Sequence, residues 1–132
     1  MKTVKGYNFS RDFMGERVPQ HVQNIVIKDF CNKNNLSLQL SATEYVMKDS
    51  FLIFHELISN INDLHGVVSY SLFLMPENDG ERTKIFKKII RKKKVIYFAV
   101  ENMKIENISD LEKINNIWKI KKILPECLNY NE

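Results

Sequence analysis

The side chains best suited to chemistry are concentrated in segment 10–20, which reads SRDFMGERVPQ. It places the hydroxyl of Ser10 beside the guanidinium group of Arg11, and Arg17 adds a second guanidinium. Pro19 follows, a residue that favours the first turn of a helix. Arginine binds phosphate and carboxylate oxygens through paired hydrogen bonds, and the free N–H groups at a helix start add partial positive charge. The segment therefore predicts a binding site for an anion.

The same charges have a structural alternative. Arg11 and Arg17 have acidic neighbours in Asp12 and Glu16, and surface ion pairs of this kind contribute less than about 1 kcal/mol each. The segment contains neither the glycine-rich phosphate loop of nucleotide hydrolases nor the dinucleotide-binding fingerprint. An anion site and a set of surface ion pairs are therefore both open.

Amides, hydroxyls and carboxylates near the ends of predicted elements supply further candidates. Amide side chains on the first turns of the helix after segment 10–20 can form hydrogen bonds with a polyhydroxylated ligand or with solvent. Hydroxyl groups in the apolar third strand need a hydrogen-bond partner, either the backbone or a ligand. Glu44 and Glu101 each follow a predicted strand, where a carboxylate is a general acid or base, or is simply solvated. For an enzymatic role we predict Ser10 and Glu101 as the catalytic groups. The predicted ligand-binding set is Arg11, Arg17, Gln20, Gln23, Asn24, Tyr70 and Ser71.

No pattern of metal ligands or of cofactor binding occurs in the sequence. The histidines at positions 21, 55 and 65 are scattered over two predicted helices and a turn, without the spacing of a metal site. Cys31 and Cys127 lie far apart, which predicts buried, reduced thiols and no disulfide framework. We therefore expect neither a metal nor a cofactor.

Positive charge is concentrated in segment 84–94, which contains seven lysine and arginine residues. Helical spacing places Lys84, Lys87, Lys88 and Arg91 on one side, and isoleucine and phenylalanine side chains on the other. This predicts an amphipathic surface helix whose terminal cations complement the helix dipole. The alternative is a patch for nucleic acid or another anionic partner.

Composition places the chain among soluble globular domains, with 132 residues, 44% of them hydrophobic and 27% charged. No apolar run approaches the roughly 18 residues that a membrane span needs. The first residues lack the apolar stretch of a secretory signal, so we expect a cytoplasmic protein. The absence of a linker predicts a single domain over residues 1–132.

Apolar periodicities of two and of 3.6 residues alternate and predict four strands, each followed by a helix. The predicted strands are 3–9, 36–41, 67–75 and 95–100. Helices are predicted to begin at Pro19, at Asp49 or Ser50, at Asp79 and at a capping box at 109–112. Pro76 is predicted to end the third strand, and Pro125 the last helix. The alternation predicts an α/β three-layer sandwich with a mostly parallel four-stranded sheet of flavodoxin-like order 2-1-3-4 and helices on both faces. Such sheets bind ligands at the carboxyl ends of the strands where the order reverses, here strands 1 and 3.

Several segments resemble one bacterial family. They are GYNFSR at 6–11, GxRxP at 15–19, QN at 23–24 and GVVxYSLFxMP at 66–76. Together they are similar to the sporadic carbohydrate cluster protein family over most of the chain. The resemblance implies a role among genes of surface-polysaccharide and sugar-nucleotide biosynthesis, and it implies no particular catalytic residues.

A more distant similarity is to the catalytic domain of serine recombinases of the resolvase type, in the order of strands and helices and in the Gly-Tyr start of the first strand. Ser10 matches the position of their nucleophilic serine. Asn8 stands where that family has an arginine, and segment 72–76 lacks the arginines that stabilise charge on a DNA phosphate. The resemblance therefore implies a shared fold without the DNA chemistry.

These observations lead to three functional hypotheses. The first is a protein of surface-polysaccharide or sugar-nucleotide biosynthesis that binds an anionic sugar derivative at the carboxyl ends of strands 1 and 3. The second is a non-catalytic interaction or scaffold protein, a homo-oligomer or the partner of a biosynthetic enzyme, that associates through apolar sides of the last helix. The third is a degenerate resolvase-like nucleic-acid binder that uses segment 84–94. We expect no membrane partner, and nucleic acid is the least favoured partner at this stage.

Overall fold

In the described residues, five strands form one mixed sheet in the order β2-β1-β3-β4-β5. They are β1 (Lys2–Phe9), β2 (Leu36–Glu44), β3 (Gly66–Ser69), β4 (Val95–Phe98) and β5 (Met103–Ile105). Neighbouring strands are parallel from β2 to β4, and β5 pairs antiparallel with β4. This computed structural model describes residues 2–13, 17–44 and 51–130, with side chains of the last helix as far as Ile123.

Among these described ranges, four α-helices cover the two faces of the sheet: α1 (Gln20–Lys33), α2 (Leu52–Ser59), α3 (Asp79–Arg91) and α4 (Ser109–Tyr130). On one face, Ile27 and Phe30 of α1 are buried against Val4 and Val68. The other three helices pack on the opposite face, and their buried side chains include Phe54, Ile58, Phe86, Ile89, Ile114 and Trp118. The predicted α/β sandwich with helices on both faces is confirmed. None of the described helices is long and apolar enough to cross a membrane.

The predicted strand order 2-1-3-4 is confirmed, and the sheet has one further strand, β5. Before β5 the chain reverses at Asn102, whose φ of 53° lies in the left-handed region that asparagine tolerates better than most residues. β5 then runs back along β4, with Ile105 opposite Ile96. A strand of three residues is too short to show an alternating pattern, so the prediction of four strands missed it.

The third strand is much shorter than its predicted range, 67–75. β3 ends at Ser69, and a 3-10 helix follows at Leu72–Leu74. The Ser71 side chain caps this helix by accepting a hydrogen bond from Phe73 N. The prediction of a longer strand is wrong. The last apolar side chains of this run are buried because they lie in a turn that packs into the core.

The predicted cap of α3 is wrong by one residue. Asn78, and not Asp79, is the N-cap, and its Oδ1 accepts a hydrogen bond from Glu81 N at 3.0 Å. Both residue types are good caps, so the sequence alone could not choose between them. The predicted caps of α2, Asp49 and Ser50, lie outside the described residues, and the prediction is wrong because Phe51 is the N-cap.

Both ends of the last helix also differ from the prediction. In place of the capping box at 109–112, the carboxylate of Asp110 accepts hydrogen bonds from the backbone N–H groups of Glu106 and Asn107, at 3.0 and 3.2 Å. α4 continues through Pro125, which was predicted to end it. A proline removes one backbone donor and tends to kink a helix, but the backbone continues beyond it here.

The single-residue β-bulge in β2 determines which way its last side chains face. Gly6 of β1 faces two residues of β2, Leu40 and Ser41, instead of one. A Cβ on Gly6 would lie 2.2 Å from Ser41 Oγ and 3.1 Å from Ser41 Cβ, so any other residue here would have to displace the Ser41 side chain. Before the bulge, Leu38 packs on the side of α1, whereas after it Glu44 reaches the start of α2.

Burial accounts for the state of the described cysteine. Cys31 is a free thiol in α1 and is 1% exposed, as predicted. Burial disfavours the charged thiolate and raises the pKa of Cys31 to about 11. The side chain of Cys127 lies outside the described part of the chain.

Candidate anion site at the carboxyl edge of the sheet

The carboxyl ends of β1 and β3 lie side by side. Tyr7 pairs with Ser69 across these strands, and Tyr70 N donates a hydrogen bond to Tyr7 O at 3.1 Å. The ring of Tyr70 packs edge-on against Phe13, with 6.0 Å between the ring centroids. Because β1 pairs with β2 on its other side, the strand order reverses here, where α/β sheets bind ligands. We call the residues that follow β1 and β3 the carboxyl edge.

Ser10 is the first residue after β1 and is half-buried. Its Oγ donates a hydrogen bond to Glu44 O, at the end of β2, with an oxygen–oxygen distance of 2.7 Å. This bond fixes the hydroxyl between two strand ends. A ligand at the carboxyl edge would therefore meet Ser10 Oγ as an acceptor.

Arg11 lies over two aromatic rings. Its Cζ is 4.2 Å from the ring centroid of Phe9 and 5.2 Å from that of Phe51, the residue before α2. A guanidinium stacks on an aromatic ring through its face, and its N–H donors lie in the plane of the group. The two contacts hold a positive charge at the carboxyl edge in a fixed orientation.

Arg17 is strongly exposed, with 88% of its side chain accessible to solvent. Its Nε lies 3.9 Å from Oδ1 of Asp12, whose side chain is also mostly exposed. An exposed pair at this distance contributes little to stability. The contact places Arg17 beside Asp12, the residue that follows Arg11. The other predicted ion-pair partner, Glu16, lies outside the described residues.

The start of α1 adds a helix dipole to the carboxyl edge. α1 begins directly after Pro19, its N-cap residue, which makes no side-chain hydrogen bond to the first N–H groups. Pro19 O accepts hydrogen bonds from Val22 N and Gln23 N, both at 3.1 Å. The N–H groups of the first helical residues carry the partial positive charge of a helix start. Gln20 is exposed beside them.

Gln23 is completely buried and its amide bonds only to the backbone. Its Nε2 donates to Phe9 O at 2.9 Å and to Val18 O at 2.8 Å, and its Oε1 accepts from Phe9 N at 3.0 Å. The amide thereby clamps the end of β1 to α1. This role is structural, and it positions the residues that follow β1.

Asn24 and Asn8 form a pair behind the carboxyl edge. Asn8 Nδ2 donates to Asn24 Oδ1 at 2.7 Å. Asn8 is completely buried, and its Oδ1 has no partner among the described residues. Asn24 is exposed, so its amide connects the interior of the sheet with the surface.

Ser71 and Glu101 bond to each other at the end of β3. Ser71 Oγ donates to Glu101 Oε2 at 2.8 Å, and Leu72 N donates to Glu101 Oε1 at 2.7 Å. Ser71 Oγ also accepts from Phe73 N at 3.1 Å. Both carboxylate oxygens of Glu101 therefore stabilise the 3-10 helix that begins after Ser71.

The sequence did not predict the role of Glu44, because its carboxylate was expected to be solvated or to transfer a proton. It is 1% exposed, and its side chain accepts hydrogen bonds from Tyr7 Oη at 2.8 Å and from the backbone N–H groups of Ile53 and Phe54 at 3.1 and 3.0 Å. Burial, and then the charge of Glu44, raise the pKa of Tyr7 far above its ordinary value, so Tyr7 stays a hydrogen-bond donor. Only the bulge in β2, which the sequence did not reveal, turns this carboxylate inward.

The basic segment 84–94 forms a second charged region. Its apolar side is buried, as predicted, and Lys92 Nζ and Lys94 Nζ donate to backbone oxygens of other elements at 3.0 Å. The remaining cations are exposed and form no ion pair within the described part of the chain: Lys84, Lys87, Lys88, Arg91 and Lys93. We call these five side chains the basic face of α3.

The histidines do not gather at the carboxyl edge. His21 and His55 are exposed on their helices, and His65 Nε2 lies 3.0 Å from Tyr97 Oη near the opposite edge of the sheet. In the ranges that the structure describes, no cluster of three His, Cys, Asp or Glu side chains is placed to hold a metal ion.

The structure thus separates the predicted residues into two groups. Four of them lie at the outer surface of the carboxyl edge: Ser10, Arg11, Arg17 and Gln20. Four others bond within the protein: Gln23, Asn24, Ser71 and Glu101. Tyr70 lies between the two groups, against Phe13. Their roles toward a ligand stay predictions.

Comparison with known proteins identifies the fold. A resolvase family site-specific recombinase from Streptococcus pneumoniae superposes with a TM-score of 0.63 and 10% sequence identity, over 97% of this chain and 94% of that one. The N-terminal catalytic domain of TP901-1 integrase gives a TM-score of 0.60 and 13% identity, over 97% of this chain and 98% of that one. No protein-family model matches the sequence, and the comparison with curated proteins yields no match, so the resemblance to the carbohydrate cluster family has no support here. The chain has a resolvase-like fold, and identities this low establish the fold alone.

Proposed function

We propose that this protein binds a phosphate-bearing ligand at the carboxyl edge, through Ser10, Arg11 and Arg17. The observation that carries the proposal is that two arginines follow the end of β1, one stacked on Phe9 and Phe51 and the other strongly exposed beside Asp12. Arginine forks match phosphate oxygens, and the start of α1 adds partial positive charge.

The proposal is one of binding, without cleavage of a DNA strand. Transfer of a phosphoryl group from DNA to a serine requires several positive charges around the nucleophile. Asn8 stands before Ser10 where resolvase-type enzymes have an arginine, and segment 72–76 contains none. In this proposal Glu101 is a positioning group, because both its oxygens stabilise the turn after β3.

Two sources of the phosphate are consistent with this chemistry. One source is a sugar nucleotide, as the first hypothesis from the sequence expects, and the other, which the fold likeness favours, is the backbone of a nucleic acid. Both present phosphodiester or pyrophosphate oxygens to arginine. Titration with pyrophosphate, UDP-glucose and a short DNA duplex distinguishes them.

Calorimetric titration of Arg17→Ala tests the site. Because Arg17 is exposed, we expect its loss to weaken pyrophosphate binding by about fivefold to tenfold. The matched control is Arg91→Ala, which removes an exposed arginine from the basic face of α3 and should leave the affinity unchanged. Equal effects of the two substitutions, or no binding of pyrophosphate to the wild type, would contradict the proposal.

Nucleic-acid binding through the basic face of α3 is the second candidate function. It is favoured by five exposed cations that have no ion pair in the described residues, on a domain with a resolvase-like fold. We expect DNA affinity to fall steeply with salt, and the double substitution of Lys87 and Lys88 by Gln to reduce the slope of log affinity against log salt by about two. Arg17→Ala is the control. Absence of a complex at low salt would contradict this function.

Self-association through α4, the second hypothesis from the sequence, is a further candidate. Ile120 and Ile123 are 59% and 48% exposed on this helix, while Trp118 is fully buried. Exposed apolar side chains on one helix favour contact with another molecule. Light scattering at increasing concentration tests it, and a strict monomer at every concentration would contradict it.

A further inference from the structure

A cavity of about 480 Å³ lies between the start of α2 and the start of α3. Phe51, Leu52 and Pro76 provide apolar surface, and His55, Glu81 and Lys84 provide polar groups. This volume lies within the range of roughly 300–1,000 Å³ that is typical of small-molecule sites, which combine apolar walls with a few polar groups.

The cavity adjoins the anion site through one aromatic ring. Phe51 lines the cavity, and the same ring has Arg11 Cζ 5.2 Å from its centroid. The anion site and the cavity therefore share Phe51, so a ligand that extends past this ring would reach both. A ring group there would meet the apolar surface of Phe51 and Leu52.

The polar groups of the cavity are available to a ligand. Glu81 and Lys84 are exposed and form no ion pair in the described ranges, and His55 is exposed on α2. A carboxylate accepts hydrogen bonds from hydroxyl or amide groups, and an ammonium group donates to their oxygens. An uncharged ring that carries hydroxyl or amide groups matches both the apolar and the polar surface.

We infer that this cavity takes the sugar or base ring of the ligand whose phosphate binds at Arg11. The inference rests on the proposed function, and it narrows the ligand to a small organic phosphate of the nucleotide or sugar-phosphate class. A bare phosphate occupies only the arginine end. A ring-bearing phosphate occupies both parts and binds more tightly.

The test compares UDP-glucose with pyrophosphate by calorimetric titration of the wild type and of Leu52→Trp. Leu52 is the first residue of α2 and is 64% exposed, so the larger side chain fills the cavity mouth without entering the core. We expect the wild type to bind UDP-glucose about tenfold more tightly than pyrophosphate, and Leu52→Trp to abolish that difference while leaving pyrophosphate affinity unchanged. Ile25→Trp, at a position 63% exposed on α1, is the matched control and should preserve the difference.

A second variant, His55→Ala, keeps the cavity open and removes one polar group. It should weaken UDP-glucose by about threefold and leave pyrophosphate unchanged. Equal affinity of the wild type for the two ligands, or equal weakening of both by Leu52→Trp, would overturn the inference and leave the anion site intact. Failure of the wild type to bind pyrophosphate would instead remove the proposed function itself.

Discussion

The carboxyl edge has a buried inner layer and an exposed outer surface, and polar side chains behave differently in the two. In the inner layer, Gln23 and Ser71 are at most 3% exposed, and each bonds to backbone or to another side chain. At the outer surface, Arg11 rests on aromatic rings and Arg17 has one long contact with Asp12. The difference follows from desolvation, because a buried polar group must be paired inside the protein whereas a strongly exposed one such as Arg17 keeps most of its hydration.

This contrast separates stability from binding. Substitutions in the inner layer leave buried partners unsatisfied, so their main effect is on the free energy of unfolding. Substitutions at the outer surface remove groups that a ligand would contact, so their main effect is on affinity. A variant that reversed these effects would show that the two layers are wrongly assigned.

The largest effect is expected for Gln23→Ala. It removes three hydrogen bonds and leaves Phe9 N and Phe9 O buried without partners, which should lower the free energy of unfolding by about 3 kcal/mol. Urea unfolding followed by circular dichroism measures the change. Gln20→Ala, on the same helix but exposed, should change stability by less than about 0.5 kcal/mol. Similar losses for both variants would contradict the assignment.

A smaller effect is expected for Glu101→Gln. The amide keeps the shape of the carboxylate and can still accept from Leu72 N, but its nitrogen only donates to Ser71 Oγ, so the serine hydroxyl loses its acceptor and the bond to Leu72 N loses its charged partner. Unfolding free energy should fall by about 1–2 kcal/mol. Glu77→Gln, which alters an exposed carboxylate, is the control. An unchanged urea midpoint for Glu101→Gln would mean that the turn after β3 does not depend on this residue.

Arg11→Lys should act mainly on binding. Lysine keeps the positive charge but loses the planar fork and the flat stacking surface, so we expect stability to fall by about 0.5 kcal/mol and pyrophosphate to bind about threefold more weakly. Titration and urea unfolding of the same sample measure both quantities. Arg91→Lys is the matched control on α3. If the variant lost stability and its affinity for pyrophosphate were unchanged, the role of Arg11 would be structural.

The smallest effect is expected at the opposite edge of the sheet, where His65 contacts Tyr97. Burial, followed by the charges of Lys2 and Lys94, lowers the pKa of His65 below its ordinary value of 6.5. The unfolded chain therefore takes up a proton near pH 6.5 that the folded protein binds only at lower pH. The stability from this residue is complete above about pH 6.5 and is lost as the pH falls through the folded pKa.

Urea unfolding at about pH 7.5 and about pH 5.5 tests this dependence. The difference in stability between the two conditions should be smaller in His65→Gln than in the wild type. Tyr97→Phe separates the lost hydrogen bond from the titration, since it removes only the hydroxyl partner. An identical difference in wild type and His65→Gln would contradict the expectation.

Much of the fold could be predicted from the sequence because its elements are locally encoded. The edge strand β2, the amphipathic α3 and the parallel order 2-1-3-4 depend on patterns of neighbouring residues and on the handedness of crossovers. β5 and the end of β3 depend instead on single residues, the left-handed Asn102 and the cap Ser71. Such residues leave no periodic signal.

The candidate site was only partly predictable for a related reason. Ser10, Arg11 and Arg17 follow a strand end in sequence, so topology places them at the carboxyl edge. The bonding of Gln23 and the Ser71–Glu101 contact join residues that are distant in sequence, and only the packed structure reveals these partners. Phe51, whose ring lies next to Arg11, directly precedes α2, and nothing in the sequence indicated this contact.

The extra residue in β2 reverses the alternation of side chains along the strand. Leu38 and Glu44 are an even number of positions apart, so a regular strand would point them the same way, yet they serve opposite faces of the sheet. Flattening the bulge at the present strand length would restore regular alternation and invert everything downstream, turning the Glu44 carboxylate away from α2 and toward α1. A β2 that lacked both the bulge and one residue would keep Leu38 and Glu44 on opposite faces, so the direction of Glu44 depends on strand length and pairing together.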